Sequence, residues 1–180
     1  SEMCIRDSSQ RGGMGDSPTP IGQATMAKAL IIVDMQKGFL HPSGSLFCGE
    51  QAREIIEPVR ERVLQEQGVG TDIFFTQDTH APDDKEFDMF PPHCIKGSGE
   101  EDMVDELADL VAFGRMVPKR RYSAFFETDL AEQLSALQPE EAIVVGDCTD
   151  ICVLHTVVGL RSRDYKVEVP ADCVASFDAQ

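Results

Sequence analysis

The chain has 180 residues, a length that fits one domain built round a single core. Asp and Glu number 32 against 16 Lys and Arg, and the resulting charge of -16 would repel a nucleic-acid backbone or an anionic membrane surface. Composition is that of an ordinary globular protein, and no apolar run approaches the roughly 18 to 20 residues of a membrane-spanning helix.

Residues 1–26 are rich in Ser, Gly, Gln, Pro and Thr without helical or strand periodicity, so they are read as a disordered or artefactual extension, with Met26 as the natural start. The remainder, 27–180, is read as one domain. Six cysteines lie scattered along the chain with no secretory signal ahead of them, which points to free thiols in a reducing cytoplasm.

From Ala27 onward, short β-branched or aromatic runs alternate with helical patterns. The runs Ala29–Val33, Asp72–Thr76, Arg115–Lys119, Ala142–Gly146 and Lys166–Val169 predict strands buried on both faces. Amphipathic spacing predicts helices at Ile55, Val59 and Val63, at Met103, Val104 and Leu107, at Leu130, Leu134 and Leu137, and at Val153, Thr156, Val157 and Leu160. Pro58 should kink or restart the first of these. The alternation implies a three-layer α/β/α fold around an open, mostly parallel, Rossmann-like sheet. Ligands in such folds gather at the carboxyl ends of the strands, where chemistry-bearing residues are therefore sought.

Asp34 follows the first run directly, where it either caps a turn or carries chemistry. The second run ends in "TQDTHAPDDKEFDMFPPHC". Asp78 and His80 share a side if the backbone stays extended, and Glu86 and His93 follow in a proline-stiffened loop. Such a nitrogen and oxygen set suits Zn2+, Fe2+ or Mn2+, although an acidic surface loop would read the same way. Lys119 ends the third run. It belongs either to a solvated basic cluster with Arg120 and Arg121 or to a site where it would stabilise a thiolate.

After the fourth run comes "GDCTDICVLH", in which Cys152 falls where a helix should begin. A helix amino terminus favours the thiolate. Cys148 lies in the preceding turn, and its spacing from Cys152 matches neither a redox C-x-x-C nor the commonest zinc pairing. An acid, a metal-like set, a lysine and a cysteine at four successive strand ends are more economically read as one active site than as four coincidences.

The segments "ALIIVDMQKGFLHPSGSL", "FFTQDTHAPDDKEFDMFPPHCIKGSGEE", "VPKRRYSAFFETDL" and "VVGDCTDICVLHTVVGLRSRDYKVEV" resemble the isochorismatase-like cysteine hydrolases, nicotinamidases most of all. The resemblance implies a triad of Asp34 as general base and acid, Lys119 as the stabilising charge and Cys152 as nucleophile. It implies a divalent metal, zinc first, on Asp78, His80 and His93 with Glu86 added. It also implies a cis peptide at Asp147-Cys148, an oxyanion hole from the Cys148 and Cys152 backbone, and a substrate pocket touching Phe39 and Tyr122.

The implied reaction is hydrolysis of a small amide, nicotinamide to nicotinate and ammonia, within NAD salvage. Pyrazinamide is a side substrate by the same resemblance. Another cysteine amidase or ureidohydrolase, and a non-catalytic binding module, are the alternatives, and a homo-oligomer is left open. The sequence departs from the family near Asp84 and stops early after its fifth strand, which reads as a C-terminal truncation.

Overall fold

Residues 27–177 are described in the computed structural model, so the extension expected over 1–26 lies outside them. Every predicted apolar run forms a strand: β1 (Lys28–Val33), β2 (Asp72–Asp78), β3 (Arg115–Lys119), β4 (Glu141–Asp147) and β5 (Lys166–Glu168). A two-residue β6 (Val174–Ala175), which the sequence pattern does not reveal, pairs with the end of β4 beyond β5.

All strand pairings are parallel, in the order β3-β2-β1-β4-β5. Side chains alternate between two apolar layers. Leu30, Ile32, Phe75 and Val145 face one, and Ile31, Val33, Phe74 and Val144 face the other. Residues Phe74 and Phe75 are both fully buried on opposite faces, each removal from water stabilising the fold by roughly 1.5 to 3 kcal/mol. Helices α1 (Lys37–Leu40) and α2 (Ile56–Gly68) cover the first layer. Helices α3 (Leu130–Leu137) and α4 (Leu154–Arg161) cover the second.

Pro58 occupies the third position of α2, in the first turn, where a backbone N–H has no intrahelical partner to lose. A 3₁₀ stretch, Glu50–Ile55, runs into it, so the proline accompanies a restart rather than a kink. The helix expected around Met103, Val104 and Leu107 does not form. Val104 N–H instead donates to Met35 C=O at 3.0 Å, Lys37 N–H to Asp102 C=O at 2.8 Å, and a 3₁₀ stretch begins only at Ala108. These tertiary hydrogen bonds hold the segment as an irregular cover over the end of β1.

The chain leaves β1 toward one side of the sheet and β4 toward the other, opening a crevice at their carboxyl ends. Close approach of these two strands requires Gly146. Its φ is +115°, and a Cβ there would stand 2.1 Å from Val33 O.

Candidate active site

Sheet register brings Asp34, Asp78, Lys119 and Cys152 together. Asp78 pairs with Lys119 at the ends of β2 and β3, and Asp34 follows β1 with a left-handed backbone (φ 49°). Lys119 Nζ lies 2.6 Å from Asp34 Oδ2, 3.0 Å from Asp78 Oδ1 and 3.7 Å from Cys152 Sγ. All four residues are buried, so this lysine is the counter-charge for two carboxylates and a thiol rather than part of a solvated basic cluster.

Burial alone would depress the lysine, but Asp34 and then Asp78 carry its pKa well above the ordinary value, so it remains an ammonium. Burial raises the Asp34 carboxyl, the Asp78 charge adds to the rise, and Lys119 and Thr76 only partly oppose it. A raised carboxyl is a stronger base. The Cys152 thiol is also pushed up, again by burial first, with Lys119 opposing and Asp34 adding to the rise.

The expectation of a thiolate favoured by a helix terminus therefore needs correction. Cys152 sits in a π-helical turn, Thr149–Val153, that precedes α4, and at rest it is held as a thiol beside a base. The Asp147-Cys148 peptide is cis, as the resemblance implies.

Sequence reasoning missed two residues that position these groups. Thr76 Oγ1 donates to Asp34 Oδ1 at 2.6 Å and accepts from Asp34 N–H at 3.2 Å, which aims the carboxylate. Gln36 accepts from Asp78 N–H at 2.7 Å and donates to Asp78 C=O at 2.8 Å. Both contacts span 42 residues of sequence, so no local pattern could signal them.

Asp78, His80, Glu86 and His93 offer ligand atoms that all lie within 4.8 Å of one another. His80 Nε2 is 3.1 Å from Asp78 Oδ2, and His93 Nε2 is 3.5 Å from the same oxygen. His93 Nδ1 must donate to Pro91 C=O at 2.7 Å, because a carbonyl can only accept, and this leaves the Nε2 lone pair facing the cluster. His80 Nε2 and Glu86 Oε2 are buried without a hydrogen-bond partner, and burial followed by the Asp78 charge pushes the Glu86 carboxyl up. Orphaned polar atoms in a mixed imidazole and carboxylate set fit a divalent cation.

Asp84 is not a member of this cluster. Its Oδ2 stands 3.3 Å from His80 Nδ1 and its Oδ1 2.6 Å from Arg121 Nη1, so it orients a ligand from behind.

Cys152 and three members of the cluster, Asp78, Glu86 and His93, line one pocket. Phe39 and Tyr122 are both on its wall, joined by Phe90, Leu46, Ile151 and Phe177, while Asp78, Glu86, His93, Asp147, Cys148 and Cys152 supply the polar side. Phe90 and Tyr122 meet edge to face at 6.2 Å.

A buried thiol at the strand-to-helix turn after β4 of an open parallel sheet, served by a carboxylate at the end of β1 and an ammonium at the end of β3, places the protein among cysteine hydrolases of amides. The chain belongs to the isochorismatase family, since the Isochorismatase domain model matches residues 28–180. It is similar to the isochorismatase family protein PncA of Bacillus subtilis, at 36% identity over 164 residues that cover 86% of this chain and 90% of that one.

Among solved structures it is similar to the pyrazinamidase/nicotinamidase of Streptococcus mutans, with a TM-score of 0.80, 35% identity, and coverage of 84% of this chain and 89% of that one. It is also similar to the pyrazinamidase of Pyrococcus horikoshii in complex with zinc, with a TM-score of 0.78, 28% identity, and coverage of 84% and 87%. No helix among the described residues is long and apolar enough to cross a membrane.

Proposed function

We propose that the protein hydrolyses nicotinamide to nicotinate and ammonia, with Cys152 as the nucleophile. The observation that carries this reading is that the thiol and three members of the cluster, Asp78, Glu86 and His93, line the same aromatic-walled pocket, which suits a small flat amide. The relatives' nicotinamidase and pyrazinamidase activities support the same substrate class.

Asp34 takes the Cys152 proton as sulfur attacks the amide carbon. Proton and nucleophile move together, because burial disfavours the free thiolate before substrate arrives. Lys119 stays charged throughout and keeps the Asp34 carboxylate from being a lone buried anion. The tetrahedral oxyanion is assigned, as the family resemblance implies, to the backbone N–H groups of Cys148 and Cys152.

As the carbon–nitrogen bond breaks, Asp34 returns the proton to the leaving nitrogen and ammonia departs. A thioester is left on Cys152. Water then attacks it with Asp34 again as base, and the carboxylic acid product is released with the thiol restored. Asp78, His80, Glu86 and His93 would hold a divalent metal, zinc first, which would supply a Lewis acid for orienting the substrate. Phe39 and Tyr122 flank the ring. The same reading places the protein in the cytoplasm, in nicotinamide salvage.

A panel of small amides decides the substrate. Ammonia release should be fastest from nicotinamide, with pyrazinamide also accepted. A clear preference for a carbamoyl or ureido compound would reject nicotinamide as the substrate.

A further inference from the structure

Beside the nucleophile's turn lies a second group of buried side chains that the hydrolytic chemistry leaves unused. Cys48 Sγ stands 3.5 Å from Cys148 Sγ although 100 residues separate them in sequence. Asp147 is 1% exposed, and neither carboxylate oxygen has a hydrogen-bond partner. The two sulfurs and an Asp147 oxygen lie within 4.8 Å of one another.

A buried carboxyl with two unmet oxygens beside two thiols must either hold a proton or be met by a cation, and the two sulfurs beside it supply the further ligands a cation needs. The sulfur separation is informative. Two thiolates about 2.3 Å from a tetrahedral zinc ion stand about 3.8 Å apart, so the thiols need move little to bind one. Nor is the group sealed, because Asp147 and Cys148 both line the substrate pocket, which gives a cation a way in and a water for the fourth position.

We infer that Cys48, Cys148 and Asp147 form a second, thiophilic metal site, selective for Zn2+ and similar soft divalent ions, set against the turn that carries the nucleophile. Binding releases the two thiol protons, and that of Asp147 where it is held, and joins two thiolates and a carboxylate to the ion. Thiolate ligands separate this site chemically from the Asp78, His80, Glu86 and His93 cluster, which contains no sulfur. The inference does not depend on nicotinamide being the substrate.

The test is titration of the full chain with Co2+, carrying Cys4→Ser and Cys152→Ser so that those thiols cannot contribute. Two equivalents should bind, one of them with sulfur-to-cobalt charge-transfer absorption that Zn2+ abolishes on displacement. Cys48→Ser and Cys148→Ser should each remove that band and one equivalent. Retention of the other equivalent shows that each variant is folded. His93→Ala should lose the sulfur-free site and keep the band, and Asp147→Asn should weaken the banded site at least tenfold. A single equivalent, a band that survives Cys48→Ser, or conversion of the two thiols to a disulfide in place of metal uptake would overturn the inference.

Discussion

Lys119 Nζ lies 3.0 Å from Asp78 Oδ1, and this contact fastens the triad to the metal-like cluster. One carboxylate faces the lysine with its Oδ1 and the two histidines with its Oδ2. The sheet register that sets Asp78 opposite Lys119 thereby ties the position of the lysine beside the thiol to that of the Asp78, His80, Glu86 and His93 cluster.

Removing the lysine charge should be costly for the fold as well as for turnover. Lys119→Met leaves Asp34 and Asp78 buried without their counter-charge, a class of change that destabilises by about 3 to 5 kcal/mol. Urea unfolding should show that loss together with the absence of ammonia release. A variant as stable as the parent would show that the lysine does not balance the two carboxylates.

Thr76 gives a subtler probe of the base. Thr76→Val keeps the shape but deletes the hydroxyl that meets Asp34 Oδ1, which should cost about 1 to 3 kcal/mol and lower kcat more than it raises KM. Thr76→Ser should restore most of both. Unchanged kcat in Thr76→Val would remove Thr76 from the aiming of Asp34.

For the first metal site, chelation followed by dialysis should abolish turnover, and Zn2+, Fe2+ or Mn2+ should restore it. His93→Ala should lower both bound metal and substrate affinity, because its Nε2 is one of the clustered ligand atoms. Full activity in metal-free protein would leave the Asp78, His80, Glu86 and His93 cluster without its assigned role.

How much of this could be read from the chain alone varied with the range of the interactions. The strands were legible because both faces are buried, so runs such as "ALIIV" and "DIFFT" carry no polar interruption. Asp34 was legible because it directly follows such a run, Lys119 because it ends one, and Cys152 because it falls near the helix start after the fourth. Local spacing failed at Met103, Val104 and Leu107, where an apolar pattern compatible with a helix is overridden by hydrogen bonds to Met35 and Lys37. Nothing local marks Thr76 as a partner of Asp34, or Cys48 as a neighbour of Cys148, because each contact is made only when distant strands and loops meet. The resting state of Cys152 was misread for a related reason, since the burial that raises its thiol is set by the tertiary fold and not by its place near a helix start.

The most direct measurement is the mass of Cys152-containing peptide after acid quenching of the enzyme during turnover of nicotinamide. The expected result is a nicotinoyl thioester on Cys152, with ammonia release and adduct both absent in Cys152→Ala. Turnover that persists in Cys152→Ala, or an adduct on another residue, would contradict the assignment of Cys152 as the nucleophile.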